Sequence, residues 1–255
     1  MKGLALRLVM LMAVLMTGNA ATAVMHFNDE TLSYKVNYKW GLIHKQAGHA
    51  TATLKNVGGD YVVQLTASTE PWADKFYQVR DTLNGIIERD NLRPKFYEKI
   101  AHEGDADEHD TVTFGYSDGK VTGACTRLKY RKGKERVNQK LMLEAKGTTV
   151  DMMSAYYYMR SIDYDNWKVG ESETITIFSG KRKEALTIKY HGIDDVKVDK
   201  KTFRCYHITF IFTSDGGKKT SDDMDAWISA DVRRIPIKIE GKLPVGKVHC
   251  VYTGQ

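Results

Sequence analysis

Alternation of apolar and polar side chains with a period of two limits this fold more than any other feature. Tyr34, Val36, Tyr38 and Trp40 fall on one face of an extended segment, and Lys35, Asn37 and Lys39 fall on the other. Ala50, Ala52 and Leu54 alternate with Thr51, Thr53 and Lys55. Tyr61, Val63, Leu65 and Ala67 follow Gly58-Gly59-Asp60, which reads as a hairpin turn. Such patterning, with one wet face, marks antiparallel strands. Val79–Glu88, Pro94–His102, Val121–Arg131 and Arg136–Leu143 read as further strands, with Asp118-Gly119 as a two-residue hairpin. The pattern returns at Ile175/Ile177, Leu186–Tyr190, Tyr206–Phe212, Met224–Ser229, Ile235–Ile239 and Val248–Tyr252. Pro236 places its strand at an edge or a bulge. The connections are too short for parallel crossovers, and about a dozen antiparallel strands curl or close to hide their edges. The expected fold is all-β, a single barrel-like domain over residues 24–255, open or closed.

One segment breaks the pattern. Across Thr148–Asp163, Val150, Met153 and Tyr157 form one helical stripe and Met152, Tyr156 and Met159 a neighbouring one. The spacing predicts a helix near 149–161, buried on more than one side, as a plug or brace within the sheet. Thr148 and Asp151 have the spacing of a capping box. Asp151 and Arg160 each suit the helix dipole at their own end. Glu70–Lys75 reads as a helical turn begun by Pro71. Glu103–Asp110 holds five carboxylates in eight residues. It lacks the residue order of a calcium loop and reads as a solvated hairpin loop.

Residues 1–23 read as a cleaved signal peptide: Lys2 and Arg7 precede apolar Leu8–Met16, and Ala21-Thr22-Ala23 offers a cleavage site. No cysteine near that site suggests a lipid anchor, and no later apolar run approaches the roughly 20 residues of a membrane helix. A periplasmic or secreted protein without a transmembrane segment is expected. The formal charge of +6 includes two basic residues of the leader. The remaining excess is too mild to imply nucleic acid. Cys125, Cys205 and Cys250 make an odd number for an oxidising compartment. One disulfide with a free thiol and three free thiols both stay open.

No residue stands in a catalytic motif. The scattered histidines form no metal site, Ser154 reads as a packing residue, and Asp163/Asp165 and Asp222/Asp223 read as turn acids. No cofactor is expected, and binding is preferred to turnover. Trp40, Tyr77, Tyr97, Met153, Tyr156, Tyr157 and Trp227, with Arg80 and Arg234, are the candidate ligand-binding residues. In a curled sheet they would hold an apolar or amphiphilic, lipid-like molecule, although a filled core fits the same residues. Arg127, Lys129, Arg131 and Lys134 make the 127–140 hairpin basic. That surface would attract an envelope protein or an anionic glycan, unless it is a charged edge that deters pairing.

Four stretches carry a resemblance. They are Leu32–Val36 with Gly41-Leu42-Ile43 and Ala47–Ala50; Tyr77–Asp81 with Leu92-Arg93-Pro94; Asp151–Arg160; and Trp227–Asp231 with Arg234–Lys238. In this order they resemble a family of exported bacterial proteins classed as a domain of unknown function. Ala230 departs from the family's second Asp, and the 102–110 segment is this chain's own. The resemblance implies an antiparallel sheet curled into a barrel, export to the cell envelope, and no assigned reaction. Arg80, Asp81, Arg93, Arg160, Asp231 and Arg234 fall on the family's charged positions. Arginine–carboxylate struts are the preferred reading of these residues, ahead of ligand anchors. A non-catalytic binder therefore ranks first, an envelope scaffold second, and a hydrolase without a recognisable motif third.

Overall fold

The structure, a computed structural model, describes residues 25–254 except 215, 216, 220, 222 and 243–245. The expected signal peptide lies outside the described residues. Fifteen strands are described: β1 (Glu30–Trp40), β2 (Ile43–Val57), β3 (Asp60–Thr69), β4 (Val79–Glu88), β5 (Pro94–Glu103), β6 (Ala106–Ser117), β7 (Lys120–Arg131), β8 (Lys134–Lys146), β9 (Thr149–Val150), β10 (Ser172–Phe178), β11 (Lys183–Val198), β12 (Lys201–Ser214), β13 (Met224–Ser229), β14 (Pro236–Lys242) and β15 (Lys247–Gly254). Two helices, α1 (Pro71–Asp74) and α2 (Met152–Ser161), accompany them. All fifteen strands join one sheet, which meanders from β8 back to β1, crosses to β15 and continues to β9. Among the described strands only β9 and β10 pair in parallel. The sheet is barrel-shaped and nearly closed.

Local chemistry explains the meander. Asp118 and Gly119 have φ of 50° and 73°, the left-handed pair whose twist suits a two-residue hairpin. Pro71 opens α1 at a position where its missing N–H is not needed. Pro236 opens β14, and the register shifts opposite it between Trp227 and Ile228. That strand is an internal one beside a bulge, not an edge.

Two expectations are corrected. The acidic stretch 103–110 is not a loop, because only Gly104 and Asp105 separate β5 from β6. Glu108 and Asp110 instead pair across the sheet with Lys129 and Arg127 of β7. The helix begins at Met152, capped by Asp151 rather than Thr148. The Asp151 carboxylate accepts from the N–H groups of Met153 (2.7 Å) and Ser154 (2.9 Å) and from the Ser154 hydroxyl (2.8 Å). Thr149 and Val150 stay extended because they pair with β10. Cys125, Cys205 and Cys250 are all free thiols.

An aromatic ring and the turn after it bring the two ends of the sheet together, the turn placing Gly180 against Asp110. Phe178 of β10 stacks on Phe114 of β6 at 5.7 Å and 15°. It lies over Gly123 of β7, where a Cβ would stand only 2.6 Å from the ring.

Inside the barrel, α2 presents buried residues all round. Met153 and Tyr157 join one core with Tyr61, Ile87, Tyr97 and Val112, and Ala155 joins another with Ile175, Ile177 and Leu186. Near the end of the helix Arg160 has 0% exposure. Its guanidinium pairs with Glu30 (Nη1–Oε1 2.5 Å, Nη2–Oε2 3.1 Å) and donates to the carbonyls of Arg234 (2.8 Å) and Arg233 (3.0 Å). The Phe27, Tyr156 and Tyr157 rings enclose it at 4.6–5.3 Å. The helix is thereby tied to β1 and to the turn before β14. Removing one member of a buried pair costs about 3–5 kcal/mol, because the other charge is stranded. Arg160→Met is therefore expected to lose that much in urea unfolding, and Arg160→Met with Glu30→Leu to lose less than Arg160→Met alone.

Candidate functional site

The register of β4–β7 sets three inward rungs. Gly85, Tyr97, Val112 and Cys125 form the first, Leu83, Lys99, Asp110 and Arg127 the second, and Asp81, Ala101, Glu108 and Lys129 the third. The first is apolar and includes core residues around α2. The next two carry charge on the face that alternation reserves for the core. There the interior opens into a cavity of about 460 Å³. Leu65, Ala67, Leu83, Tyr97, Met152 and Phe212 make its apolar wall, and Asp81, Lys99, Glu108, Asp110, Arg127 and Arg182 stand opposite in chemistry.

Nearly all of these charges are matched. Arg127 and Asp110, 8% and 3% exposed, meet at 3.1 Å. Lys99 lies 3.3 Å from Glu108 and 3.9 Å from Glu103, Lys129 also reaches Glu108, and Arg182 meets Glu184 at 3.0 Å. Burial pushes the Asp110 carboxyl up against the pull of Arg127. Glu108 is held low despite its burial, because Lys129 and Lys99 favour its charged form. Asp81 differs. Its Oδ1 is buried and has no hydrogen-bond partner. Burial first, then the charge of Glu103, pushes its pKa up to about 6.

Most of the candidate residues lie elsewhere. Tyr97 lines the cavity. Met153, Tyr156 and Tyr157 pack around the helix, with the Tyr156 hydroxyl 3.0 Å from that of Tyr34. Trp227 stacks on His207 (4.6 Å, 9°), lies under Lys238 and donates to Asp194. Arg234 lies over Tyr206 at 4.4 Å and reaches Asp165. Tyr77 and Arg80 are exposed and engage Glu103 and Asp74. The Trp40 side chain lies outside the described residues. These residues do not form one site. Their aromatic rings sit on two strands (Tyr97, Trp227), on α2 (Tyr156, Tyr157) and in the segment before β4 (Tyr77).

The charged positions are mixed. Arg80, Arg160 and Arg234 are struts to Asp74, Glu30 and Asp165. Arg93 lies over the Tyr116 ring, and Asp231 accepts from Ser229 and from the N–H groups of Arg233 and Arg234. In the basic hairpin, Arg127, Lys129 and Arg131 each face a carboxylate, and Lys134 is exposed. Sequence reasoning missed Asp81, Lys99, Asp110 and Phe212 as cavity residues. The available signal was charge at apolar parity: Lys99 shares a face with Tyr97, and Asp110 with Val112.

A larger recess of about 670 Å³ lies at the opposite end, among the turns at Asn91–Arg93, Tyr116–Val121 and Gly147–Val150. Its charged members Arg93, Asp118 and Lys120 are all exposed, while burial raises the Tyr116 and Tyr158 hydroxyls beside them well above their ordinary value. Among the described residues no cluster of His, Cys, Asp or Glu is placed to hold a metal ion.

Asp81 makes stability depend on pH with a definite sign. A carboxyl whose pKa is raised in the native state binds its proton more tightly there than in the unfolded chain. Its stabilising contribution is present below its ordinary value of 3.8 and is lost as pH rises through about 6. Asp81→Asn is expected to match the parent below that lower value and to gain melting temperature over it above about pH 6, as read by thermal melts across pH.

A family model described as "Protein of unknown function (DUF3108)" matches residues 33–251. Among curated proteins none matches. A solved structure, the beta-barrel-like protein of domain of unknown function DUF1849 from Brucella abortus, is similar with a TM-score of 0.62. That likeness has 12% identity, covers 90% of this chain and 97% of that one, and shows the fold alone. With the family model spanning most of its length, the chain belongs to the DUF3108 family of proteins of unknown function.

Proposed function

We propose that the protein is an exported, non-catalytic binder that holds an amphiphilic molecule in the interior cavity. The observation that carries this reading is the meeting of Leu65, Ala67, Leu83 and Phe212 with charged β4–β7 rungs inside one space of about 460 Å³. Pockets of about 300–1,000 Å³ enclose most of a small ligand. The paired charges favour binding over catalysis, since they spend themselves on one another. Export rests on the reading of residues 1–23, and the cell envelope is the compartment it supplies.

The outer face supports a barrel bathed in water. Gln64, Asn84, Glu98 and His109 are joined across β3–β6 by side-chain hydrogen bonds of 2.8–2.9 Å. The lipid-facing band of a membrane barrel would be apolar there. No helix among the described residues is long and apolar enough to cross a membrane.

A second reading has one observation of its own. Lys129, Arg131, Lys132 and Arg136 alone line a shallow recess of about 430 Å³. Lys132 and Arg136 have no ion pair among the described residues, so this face suits an anionic glycan. Lys132→Glu with Arg136→Glu should lose retention on heparin, and unchanged retention would reject that surface.

The first reading is tested by organic extraction of the purified processed protein, followed by mass spectrometry. A hydrophobe should be recovered from the parent and about tenfold less from Ala67→Trp, a loss of roughly 1.4 kcal/mol in binding. Equal recovery from both, or none from either, contradicts it.

A further inference from the structure

The identity of the polar head follows from what the cavity leaves unmatched, given the reading of the cavity as a ligand site. Arg127 is committed to Asp110, Lys99 and Lys129 to Glu108, and Arg182 to Glu184. Glu103 leans toward Lys99 and accepts from the Tyr77 hydroxyl. After these pairings one oxygen of an interior carboxyl lacks a donor: the Oδ1 of Asp81 is shut away from bulk water with nothing bonded to it, although the carboxyl as a whole is within reach of the His102 N–H and of Glu103. A buried acceptor without a donor is a standing cost of about 1–3 kcal/mol.

An anionic head would find Lys99, Arg127 and Arg182 engaged, and the remaining lining cation, Lys181, lies exposed at the rim. To take Arg127 it would have to leave Asp110 buried and alone, which is unfavourable. A neutral hydroxyl would satisfy Asp81 but supply no charge. A protonated amine supplies a donor and a charge together, and a charge-assisted hydrogen bond is about twice as strong as a neutral one.

We propose that the cavity selects amphiphiles with a protonated primary amine head, received by Asp81, with the tail laid against Leu65, Ala67, Leu83 and Phe212. The groups around Asp81 favour this. On β3 its register partner is Ala67, with Leu65 beside it. From β5 come Lys99 and Glu103, from β6 Glu108, and from the segment before β4 Tyr77. Over the whole lining acids and bases are equal in number, but the charges that act on Asp81 are those of Glu103 and Lys99, two carboxylates to one ammonium, so an incoming cation restores the balance there. Because Asp81 must be ionised to attract an ammonium, affinity for the amine falls as pH drops through about 6.

The experiment is isothermal titration of the delipidated processed protein with decylamine, decanol and decanoate. At about pH 8 the parent should bind decylamine at least about tenfold more tightly than the other two. Asp81→Asn, whose folding is checked by its melting temperature, should bind decylamine and decanol alike. The parent at about pH 5 should lose its preference over decanol in the same way, which tests the inference without any substitution. Ala67→Trp should bind none of the three. If the parent binds decanol or decanoate as tightly as decylamine, or if Asp81→Asn keeps the preference, the amine assignment is overturned and the cavity reading stands. If the parent binds none of them, or Ala67→Trp binds as the parent does, both fall together.

Discussion

A guanidinium withdrawn wholly from water sits against the inner end of α2, and its pairing with Glu30 is the contact on which this barrel depends. Taking an arginine and a carboxylate out of water costs several kcal/mol per ion unless geometry and hydrogen bonding repay it. Here Glu30 takes two guanidinium nitrogens, and two backbone carbonyls take the remaining directions. β1 and β14 are not neighbours, because β15 lies between them. Arg160 therefore links across the sheet what no backbone ladder joins. Such a pair fixes which way the helix sits more than it adds net stability.

The position of that pair sets how much of the interior the helix fills. Ten helical residues reach about 15 Å. Twelve-residue strands such as β6 and β7 extend about 40 Å, or about 30 Å of barrel height once tilted. The helix stops short, and Met152 at its start lies on the cavity wall. Beyond that point the inward rungs change from Tyr97 and Val112 to Lys99, Asp110 and Arg127. With no helix to pack against, those positions satisfy one another and leave a space with an apolar side and a charged side. Phe178 over Gly123 bridges the seam on the far side of the apolar rung, and at the cavity itself Gly180 lies against Asp110, so the space has walls on both sides of the seam.

Alternation made most strands legible: β4 and β13 run between the residues that the pattern marks, and Asp118-Gly119 turns as a hairpin should. The tyrosine-rich helix was legible for the same reason, since its apolar stripes cover the circumference. What failed to show was anything that depends on register. Glu30 lies 130 residues from Arg160, and no local pattern joins them. The carboxylates of 103–110 looked like a solvated loop because their partners lie on another strand. The cavity was hidden likewise, because charge at inward parity reads as noise until four strands are aligned. Aromatics gave the opposite error. Trp227, Tyr77 and Tyr156 look alike in sequence, yet they serve an outer stack, an exposed rim and a core.

The central claim is that the unfilled half of the barrel is a binding space whose polar end is Asp81. The most direct measurement is a crystal structure of the processed protein soaked with an alkylamine brominated at the end of its chain. The account predicts an anomalous bromine peak among Leu65, Leu83 and Phe212, with the nitrogen within hydrogen-bond reach of the Asp81 carboxylate. A bromine peak only on the outer face of the sheet, or tail density in the recess among the 91–93, 116–121 and 147–150 turns, would contradict it.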